Sequence, residues 1–165
     1  ECEGSASPES ILASSKAAWE HWQELYANQQ TPQIGILGHS LGAAAALQLA
    51  ETISVERVVL LSPFTSVSDM VKKMFGSWLT PLLQHRFENR GPLMQLLKRD
   101  PPPSITIIHG TRDEVIPVEM GRELAALNSE HIHYHELIHS YHNTILQDAL
   151  PMVLQELQSI RKLSD

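Results

Sequence analysis

Apolar positions along the chain recur at two spacings, and the alternation between them predicts the order of elements. After Ser7, the residues Ile11, Leu12, Ser15, Ala18, Trp19, Trp22, Leu25 and Tyr26 fall on one face of a helix that runs to about Asn28. Ser7 suits the N-cap, and Pro8 suits the first helical position, where a missing N–H costs nothing. The pattern then changes to short apolar runs around Ile34, Ile36 and Leu37, over Arg57–Ser62 and over Ser104–Gly110. Such runs, rich in β-branched and aliphatic residues, predict buried strands. His131–Ile138 alternates and predicts a fourth. Helical stretches lie between and after them: Ser40 to about Thr52, Glu119–Asn128, and Thr144–Lys162 with a break or restart near Pro151. Strand and helix therefore alternate, as in a parallel sheet with helical crossovers, and the fold class is α/β.

Residues 67–99 interrupt the rhythm. Val67, Met70, Val71, Met74, Phe75, Trp78, Leu79, Leu82 and Leu83 recur at helical spacing, and the segment continues to Leu97. It is too long for a plain connection and predicts two or three helices over the sheet edge. Two readings stay open. One is a small lid whose Met, Phe and Trp side chains line an apolar pocket; the other is ordinary helix-on-sheet core. On the first, Phe64, Met70, Met74 and Trp78 are the candidate substrate-binding residues.

Length and composition bound the function. At 165 residues the chain is one domain, with 42% hydrophobic and 19% charged residues. A net charge of −7 argues against a general nucleic-acid or anionic-membrane surface. The one cysteine, Cys2, permits no disulfide within the chain. No apolar run approaches the ~18 residues of a membrane span, and nothing reads as a signal peptide. The segment reads as cytoplasmic, although the first residue is Glu1, so an upstream leader or membrane anchor stays open, as does the oligomeric state. No nucleotide loop or metal-protease helix is present, so no cofactor is expected.

The chemistry begins at Gly38-His39-Ser40-Leu41-Gly42, a G-x-S-x-G pattern between a strand and an alanine-rich helix. A serine at such a junction is held in a strained turn with its oxygen clear of the sheet. Glycines on both sides are expected to let strand and helix approach, and the helix N-terminus favours developing negative charge. Ser40 is the candidate nucleophile. A serine hydroxyl needs a base within reach, and the base needs a carboxylate to fix its tautomer. Loops at strand C-terminal ends, where α/β sheets gather working residues, offer Asp113 and His142. Their chain order, serine then acid then histidine, is that of one hydrolase fold. His139 is a rival base and Glu114 a rival acid. His131, His133 and His135 share a strand face but lack a nearby carboxylate cluster, so no metal site is expected. His39 is expected to pack or hydrogen-bond locally.

Taken together, these residues resemble the α/β-hydrolases, and are similar to the small Bem46-like or abhydrolase-13/17-type serine hydrolases. Gly38–Gly42 matches the nucleophile elbow. His109-Gly110-Thr111-Arg112-Asp113-Glu114-Val115-Ile116-Pro117 is similar to the H-G-x-x-D-x-x-V/I-P acid loop, and Tyr141-His142-Asn143 to the G-H-N loop. The resemblance implies Ser40 as nucleophile, Asp113 as acid, His142 as base and the Leu41 N–H as an oxyanion-hole donor. It implies hydrolysis of a carboxylic ester, thioester or small amide through an acyl-enzyme; the alternatives are a non-catalytic binding protein and a peptidase of the same fold. Tyr141 stands where glycine is usual and is expected to narrow the pocket. Glu3–Pro8 resembles a segment that follows the fourth strand of a complete hydrolase. The expected architecture is therefore a partial α/β-hydrolase fold, a mostly parallel sheet flanked by helices with a small helical lid insertion at about 67–99. The Ser40 strand is expected at an open edge, a site prone to association. Loss of the loop carrying a second oxyanion donor costs about 10² to 10³ in rate, so these residues alone are expected to be weakly active or inactive.

Overall fold

The computed structural model describes residues 7–27, 33–76 and 87–162. The elements are α1 (Pro8–Leu25), β1 (Gly35–His39), α2 (Leu41–Ala50), β2 (Arg57–Leu61), α3 (Val67–Phe75), α4 (Arg90–Leu97), β3 (Ser104–Gly110), α5 (Val118–Ala125), β4 (Ile132–Leu137), α6 (Ile145–Asp148) and α7 (Leu150–Lys162). The strands form one parallel sheet in chain order, with Ile36 beside Val58, Val58 beside Ile105 and Ile105 beside Ile132. Parallel neighbours need long crossovers, which the helices supply. All four strands therefore end at the same edge, where Ser40, Ser62, Thr111 and Ile138 begin the loops.

The register sorts side chains onto two faces. Val58, Leu60, Ile105, Ile107 and Ile132 pack with Ala43, Ala46, Leu47 and Ala50 of α2, Leu93 and Leu96 of α4, and Leu124 and Ala125 of α5. On the other face Val59, Leu61 and Ile108 meet Ile145, Ala149 and Val153 of α6 and α7. Because β2 and β3 are covered on both sides, their sequences run apolar almost without interruption. Each enclosed aliphatic side chain contributes about 1.5–3 kcal/mol. β1 differs, being an outer strand of the sheet. Leu37, which neighbours the buried Val59, is 43% exposed.

Two expectations change in the structure. α1 begins as expected: Ser7 Oγ accepts from the Ser10 N–H and Ser10 Oγ from the Ser7 N–H, a reciprocal cap. Its apolar face, however, contains no buried residue, and Leu25 is 65% exposed. The helix packs on α2 with Ile11, Leu12, Trp19 and Trp22 half-buried and Ala18, Leu25 and Tyr26 exposed, while Trp19 stacks on Trp22 and Trp22 lies tilted against Tyr26. Secondly, α4 belongs to the main core through Leu93 and Leu96, so the C-terminal part of the 67–99 segment is core rather than lid. The base of that segment is clasped shut: the Val67 N–H donates to the Phe87 carbonyl and the Asn89 N–H to the Thr65 carbonyl, both at 3.0 Å. Arg90 of α4 also pairs with Asp69 of α3. The terminal helix restarts near Pro151 as expected: α6 ends at Asp148, and α7 begins at Leu150 with Pro151 in its first turn, where proline is tolerated. No helix among the described residues is long and apolar enough to cross a membrane.

Candidate active site

Ser40 joins β1 directly to α2, at φ 56 and ψ −120. A non-glycine residue pays about 1–3 kcal/mol for such a conformation, which survives only where neighbours fix it. Here the Ser40 N–H donates to the Leu61 carbonyl and its own carbonyl accepts from Ala43, both at 3.0 Å. The close strand-to-helix approach needs glycine at 38, since a Cβ there would lie 2.4 Å from the Gly42 carbonyl oxygen and 2.6 Å from the Ala43 Cα. The matching expectation for Gly42 is corrected: a Cβ there meets nothing within 4 Å among the described residues. α2 starts at Leu41, so its unpaired first-turn N–H groups and positive dipole end lie next to Ser40.

Ser40, Asp113 and His142, on three separate loops of the chain, come together. His142 Nε2 is 3.1 Å from Ser40 Oγ, and His142 Nδ1 is 2.8 Å and 3.0 Å from the two Asp113 oxygens. A carboxylate only accepts, so Nδ1 carries the proton and Nε2 turns a lone pair toward the serine hydroxyl. The Asp113 side chain is fully buried, and Oδ1 also accepts from the Val115 and Ile116 N–H groups at 2.9 Å and 2.7 Å. Burial alone would push this carboxyl up. The His109 ring, the Ile116 N–H and the His142 ring outweigh it and hold the group well below the ordinary carboxylate range. Asp113 is thus ionised wherever the protein is folded at neutral pH.

The loops carrying acid and base are tied to each other. The Thr111 N–H donates to the Leu137 carbonyl and the Arg112 N–H to the Ser140 carbonyl, at 3.0 Å and 3.1 Å. Arg112 also donates to the Tyr141 hydroxyl at 3.2 Å. These two residues each directly precede a member of the acid–base pair. His39 packs locally, as expected: its ring centroid is 4.8 Å from that of His142, and its Nε2–H donates to the His142 carbonyl at 3.1 Å. Burial, helped by the His142 ring, holds His39 below the ordinary imidazole value, so it stays neutral.

The other candidates lie elsewhere. His139 is exposed, at φ 73, and is no partner of Ser40. Glu114 accepts only the His142 backbone N–H, at a long 3.4 Å. His131, His133 and His135 are exposed, and among the described residues no three His, Cys, Asp or Glu gather to hold a metal ion. Phe64 is 3% exposed, packed with Ala44, Phe87, Ile116 and Met120, and Met70 covers that cluster in part. Trp78 and the Met74 side chain lie outside the described residues. Cavities of 860, 560 and 390 Å³ are lined respectively by residues 51–57 with 99–104, by α1 with the start of β1, and by Leu137–Ser140 with Asp148; none of these includes Ser40. Sequence reasoning assigned no role to His109 or Asn89. Both are fully buried, and Asn89 Nδ2 donates to the Phe64 carbonyl at 2.7 Å. The available signal was a lone histidine ending an otherwise apolar strand.

Known structures share this arrangement of elements. A carboxylesterase of the thaumarchaeon Nitrososphaera gargenis superposes on 97% of the chain with a TM-score of 0.69 at 12% identity, and the chain covers 75% of that protein. The fold is that of the α/β-hydrolases. The esterase domain of a Rhodothermus marinus protein gives a TM-score of 0.58 at 18% identity over 87% of this chain and 67% of that one. In sequence, an uncharacterized protein of Mycobacterium tuberculosis is 29% identical over 127 residues, 77% of this chain. The chain spans less than half of that relative, 43% of its length. No protein-family model matches.

Proposed function

We propose that the protein is a serine hydrolase, similar to the Bem46-like enzymes, that cleaves a carboxylic ester or thioester through an acyl-enzyme. The observation that carries this reading is the 3.1 Å approach of Ser40 Oγ to His142 Nε2, backed by Asp113 on Nδ1. Ser40 Oγ attacks the carbonyl carbon while its proton passes to Nε2. Asp113, already ionised, stabilises the imidazolium. The Leu41 N–H and the positive end of α2 hold the oxyanion. The imidazolium then protonates the departing alcohol or thiol, leaving the acyl group on Ser40. Water, deprotonated by His142, attacks that ester; His142 returns the proton to Ser40 Oγ as its bond to the acyl carbon breaks, and the carboxylic acid is released. Phe64, Met70, Met74 and Trp78 are proposed to contact an apolar acyl group.

The test is turnover of p-nitrophenyl esters of increasing chain length, beside aminoacyl arylamides, by the protein's full natural chain. Ester turnover that rises with acyl length and vanishes in Ser40→Ala is expected. Turnover of arylamides alone moves the reading to a peptidase, and rates equal to those of Ser40→Ala for both classes contradict it.

A further inference from the structure

His109 is the residue before the last of β3, and its side chain is wholly enclosed. The proposed reaction gives it no proton to carry. Its Nε2 lies 3.0 Å from the Ile116 carbonyl oxygen, which can only accept, so Nε2 carries a proton. The same N–H stands 3.5 Å from Asp113 Oδ2. Nδ1 is buried and has no hydrogen-bond partner among the described residues. Gly121 of α5 lies against the ring, where a Cβ would come within 2.5 Å of Nδ1 and 3.2 Å of Cγ. Leaving a buried ring nitrogen unpaired is unfavourable, and an aliphatic side chain of similar volume would avoid it. The ring is therefore to be explained by what its other nitrogen does.

We infer that His109 is a positioning residue for the acid, an inference that rests on the reading of Ser40, His142 and Asp113 given above. Residue 116 is the hinge of the argument. Its N–H donates to Asp113 Oδ1 at 2.7 Å, and its carbonyl accepts from His109 at 3.0 Å. One peptide segment thus links the carboxylate to a ring clamped by α5. With that link in place the 113–116 turn cannot rotate, and Asp113 presents both oxygens to His142 Nδ1. The second reach of the His109 N–H, toward Oδ2, steadies the oxygen nearer that nitrogen. His109 acts on the base only through Asp113 and touches no substrate.

The experiment compares His109→Gln with His109→Met, side chains of similar size of which only glutamine can donate to the Ile116 carbonyl. The readouts are kcat and KM for a p-nitrophenyl ester and the low-field proton resonance of the Asp113–His142 hydrogen bond. His109→Met is expected to lose about tenfold to a hundredfold in kcat, to keep its KM, and to lose the resonance; His109→Gln is expected to retain both. Gly121→Ala, which displaces the ring without removing any group of the site, is expected to weaken the resonance as well. The inference is overturned if the methionine and glutamine variants behave alike, whether both resemble the wild type or both fail. The resonance needs no turnover, so it decides the matter even in an inactive protein. A wild type that keeps the resonance and turns over nothing sinks the hydrolase reading, and leaves the positioning role to be judged by the variants.

Discussion

The two halves of the candidate site are built differently. The acid and base sit on loops stitched to each other, with the Asp113 side chain fully buried and both its oxygens occupied. The nucleophile sits at the end of an outer strand, with Leu37 and Leu41 on either side of it 43% and 42% exposed. Asp113 and His142 are thus placed by many mutually supporting contacts, whereas Ser40 depends on one strand neighbour and a strained backbone. Pre-organisation on the acid–base side lets the geometry persist where the nucleophile side is open. Substitutions should therefore lose chemistry on one side, and on the other lose stability in a strongly directional way.

The largest effect expected is chemical. Ser40→Ala should abolish ester turnover, and Asp113→Asn, which stops an anion from fixing the Nδ1 proton, should lower kcat by about 10⁴-fold. Glu114→Gln should stay within a few-fold of wild type, as Glu114 touches only a backbone N–H of His142. If Glu114→Gln costs as much as Asp113→Asn, the acid has been misassigned.

Next comes the asymmetry of the two elbow glycines. Gly38→Ala drives a methyl into backbone and should cost about 3 kcal/mol by denaturant unfolding. Gly42→Ala lies in a helix with open space around it and should stabilise by about 0.4–1 kcal/mol. Equal losses at both positions would mean that the outer side of α2 is covered.

Smaller effects follow from titration. Asp113 has a folded pKa below its unfolded value of 3.8. Its stabilisation is fully present above that value and is lost as pH falls through the lower folded one. Asp113→Asn should therefore flatten the decline of stability below about pH 4, read from unfolding midpoints across the acid range. His39 is depressed below 6.5 in the fold. The unfolded chain then binds more protons than the fold below that value, so stability rises with pH through the window between the depressed value and 6.5. His39→Gln keeps a donor for the His142 carbonyl and should remove that slight slope.

The same contrast explains what a reader of the sequence can see. β2 and β3 are legible because both of their faces are buried, which leaves Val58–Leu61 wholly apolar and Ile105–Ile108 broken only by the buried Thr106. Ser40, Asp113 and His142 can be named because each follows a strand with a recognisable loop pattern. Coverage is what the pattern withholds. The stripes of α1 and α4 look alike in sequence, yet Leu93 and Leu96 are enclosed in the main core while Leu25, near the end of α1, is 65% exposed. Gly38 and Gly42 are likewise the same residue in a symmetric motif, and only the atoms facing them separate a required glycine from a replaceable one. His109 escapes notice because its role depends on a carbonyl seven residues away, brought back by the turn of its own loop.

The most direct test of the central claim, that His142 primes the Ser40 hydroxyl, is covalent labelling with a fluorophosphonate followed by mass mapping of the adduct. One adduct on Ser40 is expected, absent in Ser40→Ala and formed far more slowly in His142→Asn. An unlabelled Ser40 in the folded protein, or labelling as fast in His142→Asn as in the wild type, would contradict it.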